Sequence, residues 1–226
     1  MANYSTITDF HYCGFRILAS PRKPCRSDIL DGIFRMFEDA FACRQRHLFV
    51  RFDLRLPQDH CFADPQEPFN RFLDSFVKNR RREGHDPRYL WCREQTPEAR
   101  VPHCHFAYLF SARATMSYMV HLKAAERLWG LALGGADPGG LVNYCNRDRH
   151  GNPQENGILL NVGDPDFERN LRASIRSSSY LAKTFSKGRA PLGTREWGCS
   201  QVRAKGQRRS LAELCGIVPA LSPTPF

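Results

Sequence analysis

The sequence predicts an α+β fold in which a central antiparallel sheet is flanked by helices. Segments with the apolar spacing of helices are interleaved with segments typical of strands, and several of these strands are neighbours in sequence. Neighbouring strands pair antiparallel, whereas a doubly wound fold would place a helix after every strand. The 226 residues suit one domain with extensions or two very small domains, and no internal repeat is visible.

Composition divides the chain into three regions. Residues 1–26 mix prolines and basic residues, and we expect an irregular basic arm. Residues 27–202 form the predicted single domain, which opens with an N-terminal helical extension starting at Ser27. Residues 203–226 carry a basic run followed by Pro223 and Pro225, so we expect a poorly ordered tail.

The elements of the domain follow from the period of the apolar residues. A helix from Ser27 to about Phe41 has apolar residues at spacings of three and four, whereas Phe49–Leu56 alternates as a half-covered strand does. Residues 96–100 form a predicted hairpin loop between two strands. The further predicted elements are a helix over Gln66–Arg82, strands over Arg88–Gln95 and Pro102–Phe110, a helix over Thr115–Trp129, short strands over Leu141–Cys145 and Gly157–Val162 around a Gly/Asn/Asp-rich loop, a helix that begins after Asp164-Pro165 and continues to about Lys187, and a strand near Trp197–Val202.

The charge balance points to a polyanionic partner. The chain has 33 Lys and Arg against 23 Asp and Glu, a formal net charge of +10. Such an excess attracts nucleic acid, and no separate basic amphipathic segment supports a membrane surface instead. No apolar run approaches the ~20 residues of a membrane span. The nine cysteines show no CxxC pair, and the N-terminal residues lack an apolar signal segment. We therefore expect reduced thiols and a cytoplasmic protein.

Two histidines of one predicted strand, His103 and His105, are candidate metal ligands. Alternate residues of a strand point to the same side, so both imidazoles would face one ion. If the two central strands form a hairpin, Glu94 would complete a set of three ligands that leaves positions open for a phosphate oxygen. The alternatives are two solvated histidines at a strand edge, and a Glu94 side chain paired with Arg93 or Arg100.

The last predicted helix places a tyrosine within a basic stripe. At about 100° per residue, Tyr180 falls on the same side as Arg172, Arg176, Lys183 and Lys187. The residues of the opposite, apolar side are Phe167, Leu171, Ile175, Ala182 and Phe185. A phenol with a pKa of ~10 is a poor nucleophile, so a catalytic tyrosine needs cationic neighbours and a polarised phosphate. The alternative is a solvated basic helix face with an incidental tyrosine.

Further basic residues suggest where a DNA backbone would pass. Arg51 and Arg55 share the polar side of their strand with Asp53, which would orient one of them or serve as an alternative metal ligand. The alternative is an exposed sheet face of mixed charge. Contacts of this kind cannot specify sequence. The candidate DNA contacts are Arg51, Arg55, Arg93, Arg172, Arg176 and Lys187.

The order of these motifs resembles the HUH endonuclease superfamily: a carboxylate, an HxH pair, and a Tyr-x-x-Lys helix about 75 residues later. More narrowly, the chain is similar to the replication-initiator-like proteins of filamentous phages (inoviruses) and their prophages. The resemblance covers residues 48–200. The matching stretches are Phe49–Leu56, Tyr89–Gln95, His103–Phe106, Ser179–Lys183 and Trp197–Ser200.

The resemblance implies a fold and a reaction. It implies an HUH/RRM-like nuclease fold in which His103 and His105, with Glu94 as third ligand, hold Mg²⁺ or Mn²⁺. Tyr180 would nick one DNA strand and form a 5′-phosphotyrosine link, and Lys183 would act beside the phosphate. The free 3′-OH would prime rolling-circle replication of a phage-like element. The motif has one departure, Cys104, where the superfamily usually has a bulkier hydrophobic residue; we expect this thiol to face the other side of the sheet.

The resemblance also implies partners. These are single-stranded or hairpin origin DNA and, as further candidates, host replication proteins in the cytoplasm of a bacterial host, with no membrane. A lone tyrosine in the helix indicates the single-tyrosine subclass. Two other functions stay open: a non-catalytic DNA-binding regulator with the same fold, and a structural zinc protein that uses cysteine and histidine, although the ligand spacing of known zinc sites is missing.

Overall fold

The computed structural model describes residues 4–58, 62–95, 101–148, 150–185, 187–188, 190–191, 193–203 and 209–216. The strands are β1 (Thr6–Ile7), β2 (His11–Tyr12), β3 (Phe15–Arg16), β4 (Cys25–Arg26), β5 (Arg46–Arg55), β6 (Arg88–Glu94), β7 (His103–Ser111), β8 (Val142–Asn143), β9 (Ile158–Asn161) and β10 (Trp197–Cys199). The helices are α1 (Ser27–Cys43), α2 (Glu67–Arg82), α3 (Tyr118–Ala132), α4 (Phe167–Ser178) and α5 (Leu211–Leu214), and a 3₁₀ turn, Ser179–Ala182, follows α4. Within these ranges, no helix combines the length and apolar character that crossing a bilayer would require.

The main sheet has six antiparallel strands and confirms the predicted α+β class. Its order is β10-β6-β7-β5-β8, and β9 also pairs with β5. The predicted central hairpin is present as β6 and β7, in a register that sets Glu94 directly opposite His103. The loop predicted between them, residues 96–100, lies outside the described residues.

Helices cover both faces of the sheet. On one face α1 and α4 pack against apolar side chains such as Phe49, Leu90 and Leu109, and we call this the α1/α4 face. On the opposite face, the α2/α3 face, aromatic rings dominate: Phe52 stacks on Phe106 with ring centroids 5.3 Å apart. Burial of both faces supplies most of the stability expected of such a domain.

The half-covered strand predicted over Phe49–Leu56 is wrong in one respect. Alternation predicts a solvent-facing polar side, but Arg51 and Asp53 are only 6% and 7% exposed. Their side of β5 lies beneath the end of α4, where Arg51 Nη1 donates to the carbonyl oxygen of Ser177 at 2.9 Å. The alternating pattern therefore marks a buried polar cluster, not a surface.

The helix predicted to continue to Lys187 ends nine residues earlier, at Ser178. At Lys183 the chain is extended (ψ 138°) and forms a bridge with Cys25, and the amide of Thr184 donates to the carbonyl of Pro24 at 3.0 Å. These contacts with the N-terminal segment turn the chain away from the helix axis. As a result Phe185, predicted on the apolar side, is 57% exposed.

The segment before α1 packs onto the domain. Phe15, Ile17 and Cys25 are buried in the core of the α1/α4 face. Arg26, which is 3% exposed, forms ion pairs with Asp28 and Glu196, both at 2.7 Å. The predicted basic arm is thus short strands and turns held by core contacts. Most of the predicted tail lies outside the described residues.

Candidate metal and tyrosine site

The candidate site lies where β5, β6 and β7 end together on the α1/α4 face. Glu94 is the last residue of β6 and His103 is the first residue of β7, directly opposite it. His105, two residues along β7, projects to the same side and lies opposite Asp53 of β5. The sheet register therefore brings together the three ligands that the sequence predicts.

The three candidate ligands converge at short distances. Glu94 Oε2 is 3.1 Å from His105 Nε2 and 3.9 Å from His103 Nε2, and the two Nε2 atoms are 3.1 Å apart. One ligand atom from each residue lies within 4.8 Å of the other two. Two imidazole nitrogens and a carboxylate oxygen fit a divalent ion and leave further coordination positions to water or a substrate oxygen. The cluster could therefore hold a metal.

Asp53 lies behind the cluster and orients it. His105 Nδ1 is 2.6 Å from Asp53 Oδ1, and Asn143 Nδ2 donates to the other carboxylate oxygen at 3.0 Å. A carboxylate on one imidazole nitrogen fixes the ring so that the other nitrogen faces the metal position. In this arrangement Asp53 holds His105 and is not itself among the converging ligand atoms.

The charges of the cluster are strongly coupled. Burial opposes ionisation of Glu94 and of Asp53. His105, joined by Lys187 at Glu94 and by Arg51 at Asp53, nevertheless holds the pKa of both carboxyls below the usual range. Burial also disfavours a charged His105, yet the two carboxylates raise its pKa to about 9. Burial and the positive charge of His105 lower the pKa of His103 to about 4. A His105 side chain with this raised pKa is positively charged at neutral pH, with Nδ1 directed to Asp53 and Nε2 directed to Glu94.

Tyr180 lies beside the cluster, in the 3₁₀ turn. Its ring centroid is 5.2 Å from that of His105, and the guanidinium carbon of Arg51 lies 5.1 Å from the Tyr180 centroid. The ammonium of Lys183 is 4.3 Å from the same centroid. Burial, together with the negative charges of Glu94 and Asp53, raises the pKa of Tyr180 to about 12, so the phenol holds its proton in this arrangement.

Lys187 is directed into the cluster instead of standing on an exposed basic stripe. Its ammonium donates to Glu94 Oε1 at 2.7 Å and to the carbonyl oxygen of Lys183 at 2.6 Å. The stripe prediction assumed a continuous helix, and the chain beyond Ser178 instead folds back over the end of β6. The side chain of Lys187 is 2% exposed.

The other candidate DNA contacts are dispersed. Arg55 is exposed beside the cluster, opposite His103. On α4, Arg176 is exposed, whereas Arg172 bonds to Glu168 at 2.8 Å. Arg93 lies on the α2/α3 face, 6% exposed, with its guanidinium on Gln95. The structure therefore does not bring Arg93 together with the cluster.

No cysteine within the described ranges joins the metal cluster. Cys104 is fully buried in the core of the α2/α3 face, on the side opposite His103 and His105, as the sequence predicts. All eight cysteines of the described ranges are free thiols. Among the described residues, the potential metal-binding group is made of Glu94 and the two histidines alone.

Two residues of the site, Asn143 and Asn156, are not among those that the sequence predicts. Asn143 holds Asp53, and Asn156 bonds to the backbone of the same strand, β5: its Nδ2 donates to the carbonyl of Arg51 at 2.7 Å, and its Oδ1 accepts from the Arg51 amide at 2.9 Å. Both lie in or beside the Gly/Asn/Asp-rich stretch that the sequence assigned to a loop and short strands. Their roles depend on contacts about 90 and 105 residues away in sequence.

Comparisons with known proteins give two likenesses. Residues 14–122, or 109 of the 226 residues, match the YagK/YfjJ C-terminal domain, a prophage-associated family; the match includes Glu94 and both histidines and ends before Tyr180. The catalytic domain of the Adeno Associated Virus type 5 Rep protein is similar over 57% of this chain and 96% of its own length, at 12% identity and a TM-score of 0.35. That score is too low to support a statement about fold or activity. No curated protein sequence matches the chain.

Proposed function

We propose that this chain is a metal-dependent, HUH-type endonuclease that nicks one DNA strand with Tyr180 as nucleophile. One observation carries the proposal: a tyrosine flanked by two cations lies 5.2 Å, ring to ring, from a histidine of a His-His-Glu cluster. These groups come from elements far apart in sequence. Metal ligands beside a nucleophile are what a phosphoryl transfer requires.

The residues have distinct roles in this reaction. The Tyr180 oxygen gives its proton to solvent water and attacks the scissile phosphorus, an O–P bond forms, and the bond from phosphorus to the 3′ oxygen breaks. The 3′ oxygen takes up a proton and leaves as a free 3′-OH, and the 5′ phosphate stays on the tyrosine. Arg51 and Lys183 stabilise the developing phenolate, because both cations lie against its ring.

The proposed metal position would leave coordination sites for an oxygen of the scissile phosphate. Glu94, His103 and His105 would hold Mg²⁺ or Mn²⁺, and Asp53 keeps the His105 ring in position. When bound, such an ion supplies positive charge to the scissile phosphate and makes the phosphorus more electrophilic. The side chain of His103 is 26% exposed, so a DNA strand can approach the cluster from this end of the sheet.

The substrate we propose is single-stranded or hairpin origin DNA. The net charge of +10 and the exposed Arg55 and Arg176 favour a polyanion on the α1/α4 face. We further propose that the protein starts rolling-circle replication of a phage-like element, with host replication proteins as partners in a bacterial cytoplasm; the prophage-associated family match supports the phage-like element. We also propose that the chain belongs to the narrower group of replication-initiator-like proteins of inoviruses and their prophages.

The test is covalent capture of DNA. We expect labelled single-stranded DNA with Mn²⁺ or Mg²⁺ to give a labelled band at protein mass on a denaturing gel. Tyr180→Phe removes the band, while Tyr89→Phe, on the α2/α3 face, keeps it. An adduct that persists in Tyr180→Phe would refute the assignment. Retarded DNA on a native gel with no adduct, across metals and candidate origin strands, would identify the DNA-binding regulator instead.

A further inference from the structure

The carboxylate of Glu94 is divided between two kinds of cation. Its Oε2 atom faces the imidazole nitrogens, at 3.1 Å from His105 and 3.9 Å from His103. Its Oε1 atom accepts from the Lys187 ammonium at 2.7 Å. The side chains of Glu94 and Lys187 are each only 2% exposed. A buried positive charge thus sits on the same carboxylate that a metal would use.

A buried ion pair of this kind is costly to form and is weak evidence for stability by itself. An apolar residue at position 187 would avoid the desolvation cost of burying a charge. The pair does keep the Glu94 carboxylate satisfied when no metal is present. The ammonium also donates to the carbonyl of Lys183 at 2.6 Å, which ties it to the segment that follows Tyr180.

We infer that Lys187 is an internal competitor for the metal site, a tethered cation that neutralises Glu94 in the metal-free protein and opposes entry of a divalent ion. This inference rests on the metal site of the proposed function. A divalent ion on the triad would place two positive charges beside the ammonium, and like charges in a buried site repel strongly. Metal binding therefore has to displace Lys187 or proceed against its charge.

Displacement of Lys187 has a consequence for the nucleophile. The Lys187 ammonium donates one hydrogen bond to Glu94 and another to the backbone carbonyl of Lys183. When the ammonium leaves Glu94, the backbone three residues after Tyr180 is freed from its link to β6. Loading of the metal and the position of the segment bearing Tyr180 and Lys183 are thus coupled, and the coupling is reciprocal.

The experiment is a titration of the full-length, chelator-stripped protein with Mn²⁺ alone, followed by calorimetry. Lys187→Met removes the charge and keeps an unbranched side chain, and we expect its Kd for Mn²⁺ to fall roughly tenfold or more. Lys187→Arg keeps the charge and restores the wild-type Kd. Lys78→Met is the matched control: its ammonium lies exposed on α2, on the opposite face of the sheet and 3.5 Å from Asp74, so the Kd changes by less than about twofold.

An equal or weaker affinity for Mn²⁺ in Lys187→Met would overturn the inference. Lys187→Met leaves the buried Glu94 carboxylate with one partner fewer, which lowers the stability of the fold. A second measurement therefore uses the wild-type protein. We expect the side-chain ¹⁵N resonance of the buried lysine to move or disappear on addition of Mg²⁺. A Lys187 resonance unchanged at saturating Mg²⁺ would equally contradict competition.

Failure of the proposed function is distinguishable from failure of this inference. Tighter Mn²⁺ binding in Lys187→Met with no covalent DNA adduct in the wild type would keep the competitor and remove the nuclease. A tyrosine adduct with identical Mn²⁺ affinities would keep the nuclease and remove the competitor.

Discussion

The side chains of β5 and β7 differ in kind between the two faces of the sheet. On the α2/α3 face, β7 presents a run of stacked rings, with Tyr108 and Phe110 at 5.2 Å and nearly parallel, and Phe52 of β5 stacks on Phe106. On the α1/α4 face, the same strands carry Arg51, Asp53 and His105, buried and held by one another. The aromatic face contributes apolar burial, whereas the polar cluster costs desolvation and yields a site. The candidate site is therefore separable from the aromatic face, although both faces contribute apolar burial.

The largest effect we predict comes from the aromatic face. Phe72 is fully buried on α2 and lies within 6.0 Å, ring to ring, of Phe52, Phe76, Phe106 and Trp129. Phe72→Ala should lower the free energy of unfolding by about 3–5 kcal/mol, because a large cavity forms. Urea denaturation measures this loss. Mn²⁺ affinity of the folded fraction should stay unchanged, and a weakened affinity would show that the faces are not separable.

Asp53→Asn tests the opposite face. Removal of the charge behind His105 should weaken Mn²⁺ binding about 10–100-fold, as loss of a partner behind a metal ligand typically does. Calorimetric titration gives the Kd. The neighbouring Val50→Ala, on the aromatic side of the same strand, serves as a control that lowers stability and leaves the Kd alone. Wild-type affinity in Asp53→Asn would remove the orienting role.

A histidine on the aromatic face gives a pH effect. Burial, reinforced by the nearby charges of His85 and Arg80, lowers the pKa of His121 to about 3, against an ordinary value of about 6.5 in the unfolded chain. The unfolded state then binds the proton first, so stability is complete above about pH 6.5 and falls as the pH drops toward 3. At pH 5 this linkage costs about 2 kcal/mol.

His121→Phe should remove that part of the acid sensitivity. The imidazole stacks on Phe110 at 3.8 Å, and neither ring nitrogen has a hydrogen-bond partner among the described residues, so a phenyl ring can replace it. Urea melts of both proteins at pH 7 and pH 5 measure the difference. An identical loss of stability in wild type and variant would mean that other groups account for it.

The smallest predicted effect concerns the exposed cations. Arg176→Ala should lower affinity for single-stranded DNA and reduce the slope of log K against log salt by about 0.7, with unfolding free energy changed by less than about 0.5 kcal/mol. Arg93, buried on the opposite face, should contribute nothing to the slope. Fluorescence anisotropy across salt concentrations measures the slope for wild type, Arg176→Ala and Arg93→Ala. Equal slopes in wild type and Arg176→Ala would move the DNA path away from α4.

Much of the fold follows from local pattern. The period of apolar residues identifies α2, β6 and β7 to within about two residues, because each is a regular element with one dominant spacing. The three ligands could also be brought together from sequence, since a hairpin with alternating side chains places Glu94 near His103 and His105. Their roles, and that of Tyr180, remain predictions until metal and DNA are bound.

The rest depends on contacts between distant segments. The end of α4 at Ser178 is decided by Pro24 and Cys25, which pair with the chain near Lys183, and no helical-wheel argument contains that information. The same turn puts Lys187 into the cluster. Arg51 was assigned to a surface because alternation distinguishes two sides of a strand without showing that both are covered.

The pairing of Glu94 with His103 has a consequence for how this protein tolerates change in chain length. Residues inserted between these two positions lengthen only a connection, because β6 and β7 keep the same partners. A single residue inserted within β7, between His103 and His105, would send one imidazole to the aromatic face. Length variation should therefore be tolerated between Glu94 and His103 and not within β7.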